Sequence, residues 1–450
     1  MREVDFEKLI AEAAVGRDEE LARVLGHDVK HPAYGKGRIQ DIEKPEQGRE
    51  PLLYVGFGKI NKVFSITEFR REFLQKQYVM NQPSVPDLES FTSRVKEVFE
   101  NRWLTNFGGM HEEFSESLRE IMDAEFVLPV TNATFGLTTL LNAMDLHGEM
   151  LTVPYTFPAT YHALIHARNV TPRFVDVRRD DFGMDPDAAA RAITERTAGI
   201  LAVHAYGFPA AVEELSALAR ENDLPLIFDA AACFGVRKNG LSITQYGDAS
   251  VLSFHATKVF NTAEGGAIIC RDEALYDRCK LFINFGIRGE DKIEFDGLNG
   301  KMDELRCALG LANLGQVEIA LEKRKRVVDS YLKTLRELDH PQISYLPSLY
   351  DTSAQTLNYS YFPIIVTPSA GLDRDVLNQR LRRRGVFSRT YYYPTARESD
   401  ICSGMADLFE PTPVSSELSR QVLCLPVNPD FDEYDCACIM RELEEAISET

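Results

Sequence analysis

Residues 253–266, SFHATKVFNTAEGG, surround one lysine, Lys258, with small and polar side chains. Apolar Val251 and Leu252 close a short strand before it and residues 266–270 open another after it, which places Lys258 on a strand-to-strand connection and not on a helix. An amine held there forms a Schiff base with a carbonyl compound once it loses its proton, and a partly desolvated pocket eases that loss. The same residues are equally compatible with a solvated loop lysine.

Four other stretches carry chemistry that such a lysine would need. Residues 129–137, PVTNATFGL, leave a strand and enter a helix, so the amides near Ala133 and Thr134 meet the positive end of a helix dipole, where a phosphate is stabilised; an ordinary Asn or Thr cap has the same pattern. Asp229 ends the apolar run 224–229, and a carboxylate there is costly unless a cation pairs with it. A pyridinium nitrogen is one such cation, and an Asp capping the next turn is the plainer alternative. Phe157, after the strand that ends at Pro154, suits stacking on a flat ring or simply core packing, and His204 suits a ligand contact or a structural role. Lys258 follows Asp229 by 29 residues, and the ordered set of phosphate cradle, stacking aromatic, ring-nitrogen carboxylate and lysine is the inventory of a pyridoxal 5'-phosphate (PLP) enzyme.

The elements that must position these residues alternate. Short apolar runs at 126–130, 151–154, 173–177, 199–204, 224–229 and 250–254, with helical stretches between several of them, predict an α/β domain with a mainly parallel sheet covered on both faces by helices. Ligands then bind beyond the carboxyl ends of the strands. A long helix over about 303–338, with a possible break, leads into a smaller C-terminal α/β domain with strands at 361–366, 388–393 and 422–426 and helices at 374–384 and 432–448. Ahead of all this, residues 3–25 have a helical period, and residues 31–66 predict three or four short strands with glycine turns, an SH3-like β-barrel module. The expected division is 1–80 for the helix and barrel, 81–90 for a proline-rich linker, 91–325 for the large domain and 326–450 for the small one. The barrel would serve as a docking or regulatory module, or as an appendage.

A formal charge of −19 over 450 residues argues against a nucleic-acid partner, which selects for a basic face. Eight scattered cysteines point to free thiols in a reducing cytoplasm. Cys436 and Cys438 lack the second pair or the histidine of a zinc site, so no metal is expected. Residues 1–26 lack an apolar signal core, and no run reaches the roughly 20 apolar residues of a membrane span.

From residue 90 to 448 the sequence resembles the DegT/StrS family of PLP-dependent nucleotide-sugar aminotransferases. The resemblance rests on RWLTNFG at 102–108, NAT at 132–134, YTF at 155–157, HAYG at 204–207, DAA at 229–231, the Lys258 stretch, NGKM at 299–302 and YYP at 392–394, in that order. It implies the fold type I aminotransferase architecture and a homodimer with shared active sites. Lys258 would bind PLP and move the proton, and Asp229 would face the pyridine nitrogen. Phe157 would stack on the ring, Ala133, Thr134 and Ser253 would hold the phosphate, and Asn299 would reach in from the neighbouring subunit. Arg288, Lys301 and Arg389 are candidates for the diphosphate or the donor carboxylate, as anion-binding groups or as plain surface charges.

Two positions depart from the family pattern: Ala232 stands where His or Gln usually lies near the phenolic oxygen of the cofactor, and Gly109 where proline is common. A branch of the family that removes a hydroxyl has histidine in place of the lysine, so Lys258 favours amino transfer. The expected reaction moves an amino group, from L-glutamate, to a nucleotide-linked keto sugar, a dTDP-4-keto-6-deoxyhexose at carbon 4. A cyclitol or other non-nucleotide acceptor, and a non-catalytic PLP-binding regulatory or scaffold protein, are the alternatives.

Overall fold

The computed structural model describes residues 28–31, 35–43, 52–65, 77–80 and 82–449. The chain divides into two compact units, residues 1–78 with 379–387, and residues 79–378 with 388–450.

In the first unit, β1 (Asp28–His31), β2 (Gly35–Glu43), β3 (Leu52–Phe57) and β4 (Ile60–Ser65) form an antiparallel sheet in sequence order. Leu53, Val55 and Phe57 are buried and alternate with half-buried neighbours, the two-residue period of a strand with one covered face. Phe57 pairs with Ile60 across a two-residue turn in which Gly58 has a φ of 60°, a left-handed conformation that costs glycine little. The helix expected over residues 3–25 lies outside the described residues.

The second unit is built on a seven-stranded mixed sheet: β5 (Phe126–Val130), β6 (Gly148–Thr152), β7 (Val170–Phe174), β8 (Thr197–Val203), β9 (Leu226–Asp229), β10 (Ala249–Ser253) and β11 (Gly266–Cys270). Their spatial order is β5-β11-β10-β9-β8-β6-β7, and β11 alone runs against the rest. Alternate residues feed two cores. Leu128, Met150, Leu201, Ile227, Val251 and Ile268 pack with Leu137 and Leu140 of helix Ala133–Ala143 on one face. Val127, Leu151, Ile200, Phe228, Leu252 and Ile269 pack with Phe114 and Leu118 of helix Gly109–Met122 and Leu215 of helix Val212–Glu221 on the other. Burial on both faces is why the strands read as unbroken apolar runs and not as alternating ones.

The expected long helix is two helices, Glu304–Leu314 and Val317–Leu338, separated at Gly315 and Gln316. A three-stranded antiparallel sheet follows, with Phe362–Val366 between Ile343–Ser344 and Val422–Leu425. The Tyr331 hydroxyl, on helix Val317–Leu338, donates to the Pro426 carbonyl at 2.8 Å and ties that helix to the end of the last strand. Residues 388–393 are not the continuous strand expected: Arg389 makes a single bridge to Cys424, and the chain then turns through the tyrosines. The Tyr391 carbonyl accepts from the buried Tyr206 hydroxyl at 2.5 Å, so its partner is a side chain and not a neighbouring strand.

Candidate active site

Because β5, β6, β8, β9 and β10 run the same way, their carboxyl ends deliver five segments to one edge of the sheet, the expected place for a ligand in such a fold. There β5 passes through Asn132 into helix Ala133–Ala143. The Asn132 side chain accepts from Phe135 N at 2.9 Å, which leaves the first-turn amides of Ala133 and Thr134 for an acceptor from outside the helix. Gly266 permits this approach: a Cβ there would lie 2.8 Å from Ala133 N and 2.7 Å from Leu252 O.

Asp229, at the end of β9, is buried. Its Oδ2 accepts from Thr160 Oγ1 at 2.7 Å and its Oδ1 from Ala231 N at 3.0 Å, and Thr160 is itself within 2.8 Å of the Thr156 hydroxyl. Burial pushes the carboxyl above the ordinary Asp range, while the two hydrogen bonds and the Lys258 charge pull it back. A carboxylate so placed gains from one more cationic N–H donor.

Lys258 lies between β10 and β11 on a loop closed at its base by Phe254 N to Gly265 O, Thr262 N to Phe254 O and Ala256 N to Ala263 O, at 2.9, 2.9 and 2.7 Å. Phe254 and Phe260 anchor the loop in the core, where both stand against Phe114 and Phe234. Among the described residues no carboxylate lies within salt-bridge distance of Lys258 Nζ. Nζ lies over the ring of Tyr361, 5.9 Å from its centroid.

Lys258 and Asp229 line a cavity of about 610 Å³ together with Ala133, Thr134, Phe157 and Ser253. His204 lines it as well, stacked on Phe228 at 4.6 Å. The His204 Nδ1 accepts from Ala210 N at 3.0 Å, so the proton sits on Nε2, and burial holds the ring neutral by lowering its pKa to about 3. Ala232 also borders the cavity and presents only a methyl group; its carbonyl points to Asn358 and Ser360, which donate at 2.7 and 2.9 Å.

Four expected residues stand outside the cavity lining. Arg288 is on an exposed hairpin and pairs with Glu294 at 2.9 Å. Lys301 is buried, donates to Asn284 Oδ1 at 2.9 Å and lies over the Phe285 ring. Asn299 and Arg389 are exposed. Among the lining residues that the sequence did not single out as site residues are three tyrosines, Tyr361, Tyr391 and Tyr392. Tyr392 falls within the YYP stretch at 392–394, but nothing in spacing alone distinguishes Tyr361 from a core tyrosine.

The donor set fits PLP. Amides at a helix start and a serine hydroxyl suit a phosphate, Phe157 offers an open face, Asp229 suits a protonated ring nitrogen, and Lys258 is an amine free of carboxylate partners.

Residues 87–444 match the model of the DegT/DnrJ/EryC1/StrS aminotransferase family. The dTDP-4-amino-4,6-dideoxy-D-glucose transaminase of Shigella dysenteriae is 34% identical over 372 residues, covering 83% of this chain and 100% of the relative. The Escherichia coli protein of the same name is 35% identical over 361 residues, covering 80% and 95%. Among solved structures, DesI in the presence of its TDP-sugar product aligns with a TM-score of 0.77 at 30% identity, over 83% of this chain and 94% of that one. NtdA from Bacillus subtilis with bound cofactor PMP aligns with a TM-score of 0.73 at 25% identity, over 80% and 82%. The family and the PMP-bound neighbour imply dependence on PLP. With its lysine, carboxylate and helix start at one sheet edge, and with a family match over most of its length, the chain belongs to the DegT/DnrJ/EryC1/StrS aminotransferases, of fold type I.

Proposed function

We propose that this protein transfers an amino group from L-glutamate to carbon 4 of a dTDP-4-keto-6-deoxyhexose, with PLP as the cofactor. The observation that carries the reading is the cavity in which Lys258 and Asp229 meet the amides of Ala133 and Thr134. The choice of sugar is supported by the two relatives named for a dTDP-4-amino-4,6-dideoxy-D-glucose and by the TDP-sugar complex of DesI.

When bound, the cofactor supplies an electron sink for the pair released as a C–H bond beside nitrogen breaks. The chain's residues do the remainder. Lys258 Nζ takes the proton from the α-carbon of the donor and returns it to the other end of the same system, and in the second half-reaction it carries a proton in the reverse sense. Asp229, oriented by Thr160 and Ala231, holds a proton on the ring nitrogen. Ala133, Thr134 and Ser253 fix the phosphate, and Phe157 packs against the ring face. His204, held neutral, lines the same cavity and has a buried Nε2–H with no partner among the described residues. Arg288, Lys301 and Arg389 remain the candidates for the anionic groups of the substrates.

The active unit in this reading is a homodimer in which Asn299 completes the site of the partner. Its support is that Asn299 is exposed and lies outside the cavity of its own chain, while Trp103, Leu104, Phe285 and Leu298 are large apolar side chains left in solvent. The test is an amino-transfer assay with L-glutamate and a panel of acceptors, with products identified by mass. A dTDP-4-keto-6-deoxyhexose aminated at carbon 4 is the expected product. Turnover of a cyclitol ketone with no need for a nucleotide would replace the substrate assignment.

A further inference from the structure

The lysine of this site has to be free for part of every cycle, and while free it gains a proton. A protonated amine inside a cavity walled by aromatic rings needs a partner to stabilise it, because burial alone favours the neutral form. The usual partner is absent, since no carboxylate of the described residues is within salt-bridge distance of Nζ. Asp229, the closest in function, already accepts from Thr160 and Ala231, and in the aminotransferase reading it faces the ring nitrogen.

Tyr361 meets the need. Its ring centroid is 5.9 Å from Lys258 Nζ, within the roughly 6 Å over which a cation is attracted to an aromatic face. The ring is 6% exposed and lines the same cavity. Two edge-on contacts fix it: Tyr206 at 6.0 Å and 66°, and Tyr391 at 5.8 Å and 82°. It stands one residue before the strand Phe362–Val366, so its backbone is anchored in the C-terminal sheet and not in the mobile end of a loop. The other titratable or charged groups around the pair are His204, Tyr206, Asp229, Cys233, His255, Glu264, Tyr391 and Tyr392, with the buried Arg324 charge felt at the Tyr361 hydroxyl.

We propose that Tyr361 is a positioning residue whose ring face holds the Lys258 ammonium within reach of the reacting carbons whenever the amine is free. In each half-reaction the proton that Nζ takes from one carbon it gives to another, so no further reactant enters. The inference rests on the aminotransferase reading for its purpose, but the interaction is a property of the protein alone.

It is therefore tested on the apoprotein, by competitive acylation of amines followed across pH and read on the Lys258 peptide by mass spectrometry. Tyr361→Leu should move the labelling midpoint down by about 0.5–1 pH unit, the size of a partly desolvated cation–π contact. Tyr361→Phe should leave that midpoint in place. Replacement of Tyr361 by phenylalanine bearing one, two or three ring fluorines keeps the shape and weakens the ring face, and should lower the midpoint stepwise. A midpoint indifferent to fluorination, or one that Tyr361→Phe moves as far as Tyr361→Leu, overturns the proposal. Either result leaves amino transfer, measured separately, unaffected as a conclusion.

Discussion

Thr160 Oγ1 donates to Asp229 Oδ2 at 2.7 Å, joining the helix Pro158–His166 to the tip of β9. A hydrogen bond to a buried carboxylate favours its ionised form, which is the form that can pair with a ring N–H. Removing this donor in Thr160→Val leaves Asp229 with Ala231 N alone and should raise its pKa further. Loss of a bond to a charged group of about 1.5–3 kcal/mol corresponds to roughly a 10- to 100-fold fall in PLP affinity or kcat. Equilibrium dialysis of PLP and steady-state rates check this, and Thr160→Ser, which keeps the hydroxyl, should retain most of both.

Two buried histidines make stability depend on pH in a stated direction. Burial, the largest cause in each case, lowers His204 to about 3 and His111 to about 4. The unfolded chain takes up these protons near pH 6.5 and the folded chain does not. Their contribution is therefore complete above about 6.5 and is lost as pH falls toward those values, at about 1.4 kcal/mol per pH unit for each. Denaturant unfolding of the apoprotein at pH 7.5 and 5.5 should show a smaller difference for His111→Gln combined with His204→Gln than for the unmodified chain. An unchanged difference would place both rings in contact with water.

Much of the fold was legible because burial on both sheet faces leaves a run of apolar residues that needs no periodicity to be seen. The starts of strands were less legible. β6 begins at Gly148 and not near 151, because Glu149 reads as a loop residue; the structure buries it with Arg173 and Arg196 as ion-pair partners, Arg196 Nη2 at 2.7 Å. β7 contains Pro172, which argues against a strand from sequence, yet β7 is an edge strand, where proline is tolerated. The site divides in the same way. Asp229 and Lys258 stand out by being polar where a strand ends, whereas Tyr361 follows Lys258 by 103 positions along the chain and no local pattern announces it.

A shared site predicts complementation. Lys258→Ala and Asn299→Ala should each be inactive or nearly so. Mixed and allowed to exchange subunits, they form heterodimers in which one site receives both defects and the other neither. Activity should recover to about a quarter of the unmodified value for random exchange of two such subunits. Heterodimers that form, as judged by differently tagged subunits, and stay inactive would place Asn299 in its own subunit's site.

The central claim is that Lys258 is the amine through which PLP is held and the proton moved. Its most direct test is the visible spectrum of the protein with PLP, recorded before and after L-glutamate and again after a dTDP-4-keto-6-deoxyhexose, for the unmodified chain and for Lys258→Ala. The unmodified chain should give a yellow band that glutamate removes and the keto sugar restores. Lys258→Ala should fold, with unchanged far-ultraviolet circular dichroism, and show no such cycle. A Lys258→Ala protein that remains yellow and turns over, or an unmodified protein whose band ignores glutamate, would contradict the account.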